Sequence, residues 1–261
     1  MRIIFHLILL AGSFAGIYFG LSKIDFTGAA NIEKISSEKT RKLGELMVES
    51  ILLSTEEIKD STALAFIDSL KRPLCIAGGL DADSIKIHLI RDGEVNAFAL
   101  PGNHIVVNTG LFDFAKNPGE VAGVLGHELG HLKLNHLEKK LVKEVGLSIL
   151  FTIAGGEAGQ QILKEIVKQI SSTSFDREYE SEADAFAVKV LAKSGVDPEQ
   201  LSDFMFRVSQ KSNMPEELVF LSTHPDGKER AAEIIKLSKD YKISGKTLIN
   251  TPWEEVQNSM D

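Results

Sequence analysis

The sequence predicts an α+β fold that is mostly helical and carries a small antiparallel sheet. Two observations lead there. Apolar residues recur at helical spacing over residues 37–53 and over most of the chain after Thr109. Between them lie three short runs, "SIKIHLI", "EVNAFAL" and "HIVVNT", which alternate with period two or are rich in apolar and β-branched residues, separated by the turn sequences "RDGE" and "LPGN". At 261 residues the chain can bury a sizeable core. Its 43% hydrophobic and 25% charged residues are ordinary for a folded protein, and no internal repeat interrupts it.

The elements follow in order. Residues 1–22 read as a signal-anchor or signal peptide, residues 23–37 as a polar linker, and residues 38–261 as one domain. Residues 3–21 are apolar apart from His6, Ser13 and several glycines, close to the roughly 20 residues that cross a bilayer. Arg2 before them favours an inside N-terminus. The apolar run continues past the possible cleavage point after Ala15, which favours an uncleaved anchor over a cleaved signal peptide. Ser13 stands where "LLAGS" would need a cysteine for lipidation. Either reading carries the rest of the chain across the membrane.

Leu43, Leu46, Met47 and Ile51 form a helical stripe, with Ser37 placed to cap it. A second helix is expected over residues 61–70, and then the three strands, read as hairpin-linked and antiparallel. Ala97, Ala99, Ile105 and Val107 are expected to pack, and His104 to be a surface strand residue. Residues 145–156, "VGLSILFTIAGG", are apolar but too few to span a membrane, and fit a buried or interfacial helix.

Charge and cysteine content exclude some functions. The net charge of −8 and the absence of a basic patch speak against a nucleic-acid partner. Cys75, the only cysteine, excludes both an intrachain disulfide and a cysteine-based zinc cluster.

The chemistry is carried by "HELGH". His127 and His131, four residues apart on a helix, lie about 40° apart around its axis, so both imidazoles can meet one ion, with Glu128 beside it to act on water. A catalytic zinc needs a third protein ligand. His136 is rejected because it lies about 180° around the helix from His127; it reads as a packed or capping histidine. A carboxylate on a second helix is the better source. "FDREYESEADAFAVKVLAKSG" reads as a helix ending near Gly195, with Tyr179, Ala183, Phe186, Ala187, Val190 and Leu191 forming an apolar arc of roughly 140°. Glu178 and Glu182 fall outside that arc and should be solvated. Glu180 falls inside it, where an unpaired carboxylate is costly, and Glu180 is therefore the selected ligand. Asp184, at the arc's other edge, is placed to hold a ligand histidine in its tautomer.

"HELGH", "FDREYESEADAFA", "THPDGKER" and "NAFALPGNHIVVNTGLF" together resemble the zinc metallopeptidases that include HtpX, BepA and the CAAX prenyl proteases. These are gluzincins, whose third ligand is a glutamate, and the resemblance covers roughly residues 43–232. It implies a zincin-type domain in which His127, His131 and Glu180 bind one zinc per chain, Glu128 is catalytic and Asp184 supports the site. It further implies a small sheet whose edge strand, at Asn96, Ala97 and Phe98, binds substrate in extended form. His224 is the candidate catalytic group for stabilising the developing oxyanion, near the metal as its counterpart is in relatives and able to cover it, or else is a loop histidine that caps the next helix. Arg230 either pairs with acidic groups near the site or is exposed. The chain looks closest to the exported or singly anchored branch.

The expected activity is zinc-dependent endoproteolysis by metal-activated water with Glu128 as general base. The expected substrates are unfolded or membrane-associated polypeptides at the bacterial envelope, with the catalytic domain in the periplasm and the N-terminal segment as membrane tie. The alternative is a non-proteolytic chaperone or assembly factor that holds polypeptides on the edge strand.

Overall fold

The computed structural model describes residues 37–144, 146, 160–210, 219–243 and 252–260. The anchor and linker expected before residue 37, and nearly all of the apolar segment 145–156, lie outside the described residues. Among those described, no helix is long and apolar enough to cross a membrane.

Helix α1 (Ser37–Leu52) buries the stripe Leu43, Met47, Val48 and Ile51. Helix α2 (Ser61–Gly78) starts where the Asp60 carboxylate accepts from the N–H groups of Thr62 and Ala63, and stops at Gly79, whose φ of 64° suits a left-handed cap. It runs past the expected end at Leu70, through Pro73.

Strands β1 (Lys86–Ile90), β2 (Ala97–Leu100) and β3 (His104–Asn108) form one sheet in the order β1-β3-β2. The β2–β3 pair is the expected hairpin, antiparallel with Phe98 opposite Val106. The turn is closed by Gly102 and Asn103, both at positive φ. The expectation of an all-antiparallel sheet is corrected: β1 runs parallel to β3, with Ile87 opposite Ile105. The reason lies in the loop after β1. Thr109 Oγ1 and the Gly110 N–H both donate to the Asp92 carbonyl, at 3.0 and 2.8 Å. These bonds pin the loop to the end of β3 and keep "RDGE" from folding back as a hairpin. The chain therefore crosses over before β2 begins.

Both faces of the sheet are covered. Leu89, Ala97, Ala99, Ile105 and Val107 join the larger core with α2 and the helices that follow. Ile90, Phe98, Leu100 and Val106 join a second cluster with α1. His104 is therefore buried, at 2% exposure, and not on the surface as expected. Helix α1 packs over the hairpin so closely that a Cβ on Gly44 would lie 3.0 Å from the His104 ring. His88 also stacks on that ring, with centroids 5.2 Å apart.

After the short α3 (Thr109–Phe114) comes α4 (Pro118–Lys133), capped by the Asn117 side chain with Pro118 in its first turn. Every residue from Glu120 to Leu132 is buried, so α4 is the central helix. It packs on β2, on α2, and on α7 (Arg177–Lys193) and α8 (Glu199–Gln210). Helices α5 (His136–Glu144) and α6 (Gln160–Ser172) contribute Leu137, Leu141, Leu163, Ile166 and Ile170 to the second cluster. Helix α9 (Val219–Thr223) leads into α10 (Gly227–Ser238), which packs on α7 and α8. Trp253 at the start of α11 (Trp253–Asn258) closes the core against Phe66 and Phe112.

Candidate metal centre

On α4, His127 and His131 are one turn apart and point the same way. Their Nε2 atoms are 3.0 Å apart, their rings meet edge to face, and neither is exposed. Phe175, just before α7, stacks on the His131 ring at 4.1 Å, and the Lys140 ammonium lies over the Phe175 ring, 4.4 Å from its centroid.

Helix α7 brings two carboxylates to the same place. Its inner face is small where it meets α4, at Ala183 and Ala187, so the helices approach closely. Glu180 in its first turn reaches His127 Nε2 at 3.5 Å and His131 Nε2 at 3.4 Å. One turn on, Asp184 takes the other side of His127, 2.9 Å from Nδ1. Arg230 from α10 closes this layer, with Nε and Nη2 each 2.7 Å from an Asp184 oxygen and Nη1 hydrogen-bonded to Glu180. Such a planar fork matched to a carboxylate is a strong, geometrically specific pair.

His224, at the end of α9, completes the cluster. Its Nδ1 is 3.0 Å from Glu180 Oε1 and 3.2 Å from His127 Nε2. Its Nε2 lies 3.4 Å from Oε1 of Glu128. Neither of these last two atoms has a hydrogen-bond partner among the described residues, and both are buried. The other oxygen of Glu128 accepts the N–H of Ala99 at 2.9 Å, which ties the carboxylate to β2.

Burial and close opposite charges shift the groups of the cluster in opposite directions. Burial alone would raise the Glu180 carboxyl, but the charges of His224 and Arg230 and the hydrogen bonds from His127 and His131 hold it well below the usual range. Burial opposes charge on His127, yet Asp184 and Glu180 outweigh it and lift that imidazole to about 9. His131 is pushed far down and His224 down to about 4, in each case first by burial. Glu128 is pushed up to about 8 by burial, with the Ala99 N–H acting against it. Donor atoms from His127, His131, Glu180 and His224 all lie within 4.8 Å of one another. Three imidazoles and a carboxylate so arranged suit a metal ion.

The structure thus gathers His127, Glu128, His131, Glu180, Asp184, His224 and Arg230 in one buried site. Of the two readings left open for His224 and for Arg230, the one beside the cluster is observed. Asn96, Ala97 and Phe98 are buried at the start of β2, whose outer edge faces α4. Glu178 and Glu182 are exposed, as the wheel expected. Sequence reasoning missed Ala99, because it acts through its backbone N–H and leaves no residue-type signal. It also missed Phe175, whose position two residues before α7 marks it only as a helix-entry hydrophobe.

Comparison with known proteins agrees with this geometry. Peptidase family M48 matches residues 67–238. The chain is 29% identical over 206 residues to a β-barrel assembly-enhancing protease of Yersinia pestis, covering 73% of this chain and 42% of the relative. It is 33% identical over 156 residues to the mitochondrial metalloendopeptidase OMA1 of Arabidopsis thaliana, covering 58% of this chain and 31% of that protein. It is also 30% identical over 155 residues to the metalloprotease LoiP of Escherichia coli, covering 57% and 60%. The chain therefore spans less than half the length of the assembly-enhancing protease it matches. The matched stretch runs from within α2 to the end of α10 and contains every residue of the buried cluster; the chain belongs to peptidase family M48.

Proposed function

We propose that the metal is zinc, one ion per chain, held by His127, His131 and Glu180, with Glu128 as general base and His224 in the fourth position of a closed, resting site. The observation that carries this is the spacing of the donors. Ligand atoms about 2.1 Å from a tetrahedral zinc lie about 3.4 Å from one another. His127 Nε2 lies 3.0 Å from His131 Nε2 and 3.2 Å from His224 Nδ1, and the Glu180 carboxylate reaches the three imidazoles at 3.0 to 3.5 Å, through Oε2 to His127 and Oε1 to His131 and His224. The two unpartnered buried atoms, Glu128 Oε1 and His224 Nε2, lie 3.4 Å apart beside these donors.

Zinc in such a site supplies Lewis acidity, which makes a water molecule acidic near neutral pH and polarises the scissile carbonyl. The rest is done by the chain. The Ala99 N–H occupies Oε2 of Glu128, so Oε1 is the atom free to accept the water's proton and later pass it to the leaving amine. Asp184 accepts from His127 Nδ1 and so keeps the Nε2 lone pair directed at the site; Arg230 holds Asp184 in place. Substrate joins β2 as an added strand. The Asn108 N–H donates to the Asn96 carbonyl, so by the alternation of an antiparallel ladder Ala97 and Ala99 turn their backbone groups to the outer edge; the Ala99 N–H is taken by Glu128, which leaves the Ala97 groups and the Ala99 carbonyl for substrate. His224 must leave before a scissile carbonyl can enter.

The substrates are polypeptides, and the likeness to a bacterial β-barrel assembly-enhancing protease supports a role in envelope protein quality control, with the N-terminal segment as membrane tie and the catalytic domain in the periplasm. Incubating the zinc-loaded chain with an unfolded protein such as reduced, alkylated lactalbumin tests the mechanism. Cleavage is expected with wild type, faster cleavage with His224→Ala, and none with chelator or Glu128→Gln. Equal cleavage in all samples would refute it. Protection of the substrate from aggregation without any cleavage would favour the chaperone reading.

A further inference from the structure

Helix α4 does not run on into α5. It ends at the cap residue Leu134, and Asn135 has a φ of 54° before α5 begins at His136. On an unbroken helix His136 would stand about 140° around the axis from His131. The left-handed residue, a conformation asparagine tolerates, turns the chain so that the His136 ring comes back against His131. Their Nδ1 atoms are 3.1 Å apart. The second nitrogen of His136, Nε2, is 3.0 Å from Oε2 of Glu182 on α7. The ring lies flat on Tyr179, with centroids 4.4 Å apart. His136 is fully buried, while the Glu182 side chain is 47% exposed.

Hydrogen bonding then fixes where each proton sits. Nε2 of His131 faces His127 and Glu180, so as a lone-pair donor to a cation it carries no proton. The proton of His131 is on Nδ1 and is donated to Nδ1 of His136. His136 must then keep its own proton on Nε2, which donates to the Glu182 carboxylate. We propose that His136 and Glu182 are positioning residues for His131, fixing its tautomer and ring orientation as Asp184 does for His127. This rests on the metal reading above and extends it. The two histidines are oriented by different devices: His127 by a buried carboxylate, His131 by an imidazole that links it to a carboxylate at the surface.

The test compares the full chain with three variants. His136→Phe keeps the ring on Tyr179 but removes the acceptor. His136→Asn returns an oxygen near the place of Nδ1. Glu182→Ala removes the surface end alone. Zinc affinity is measured by competition with a chromophoric chelator, and the visible absorption of the Co2+-loaded protein reports ligand geometry. His136→Phe is expected to weaken zinc binding about 10–100-fold and to shift the Co2+ bands. His136→Asn should recover most of that loss, and Glu182→Ala should lose less than His136→Phe. Zinc binding by His136→Phe within about twofold of wild type, or equal losses in the Phe and Asn variants, overturns the proposal. Should His136→Phe fail to fold, unchanged affinity and spectrum in Glu182→Ala, at an exposed position, overturns it equally. Wild type that binds no stoichiometric zinc would instead sink the metal reading itself.

Discussion

Two glycines on α4 make opposite predictions from neighbouring turns of one helix. A Cβ on Gly130 would lie 2.9 Å from Ala183 Cα and 3.0 Å from the Ala183 carbonyl oxygen, both backbone atoms of α7. A Cβ on Gly126 would meet nothing closer than Val190 Cγ2 at 3.5 Å and Ala187 at 3.6 Å, ordinary contacts. Alanine is favoured over glycine inside a helix by about 1 kcal/mol. At Gly126 that gain stands, so Gly126→Ala should stabilise by about 0.5–1 kcal/mol. At Gly130 the new methyl presses on backbone that cannot rotate away, and overpacking of this kind costs about 1–3 kcal/mol. The net effect of Gly130→Ala is then a loss of about 0–2 kcal/mol. The two variants should differ by about 1–3 kcal/mol, a gap of several degrees in Tm at about 2–4 °C per kcal/mol for a domain of this size. The site should feel it too, because Gly130 adjoins His131 and Ala183 lies three residues after Glu180. Forcing α7 outward moves the carboxylate off the histidine pair. Urea unfolding and zinc competition on both variants check this. A Gly130→Ala protein as stable and as metal-avid as Gly126→Ala would refute the idea that close helix approach builds the site.

Removing the Arg230 guanidinium leaves two buried carboxylates, Asp184 and Glu180, without their counter-charge; Arg230→Met should cost about 3–5 kcal/mol in urea unfolding of chelated protein. A loss under about 1 kcal/mol would contradict it. His104 is held near 4 instead of 6.5, first by burial and then by the charges of His88 and Lys86. The unfolded chain therefore takes up this proton before the folded one does, and stability should fall as pH drops from about 6.5 toward 4. His104→Leu should flatten that fall, and identical slopes in the two proteins would count against it. The Cys75 thiol is buried and raised to about 11, mainly by desolvation, so at pH 8 a thiol reagent should label it only as the protein opens. Rapid stoichiometric labelling of native protein would show that the thiol is accessible.

What could be read from the sequence is what lies along one unbroken element. His127 and His131 share a helix, and the wheel put Glu180 on the inner face of α7 because that helix runs straight from Arg177 to Lys193. The misreadings come where one local contact redirects the chain. The Asp92 carbonyl holds the loop that makes β1 parallel to β3. Gly44 lets α1 settle on His104. Asn135 turns His136 back to His131, where spacing on a continuous helix had put it on the far side. The same distinction bears on how the site works. His127, His131 and Glu180 stand on two long helices locked together at Gly130. His224 instead follows the five-residue α9 and is succeeded by Pro225 and by Asp226 at a φ of 61°. On the proposed reading, three donors stand on two long core helices, while the fourth follows a short one, tied by its N–H to the Phe220 carbonyl and by its ring to the Phe220 ring; opening starts at His224 and leaves the zinc and its base in place.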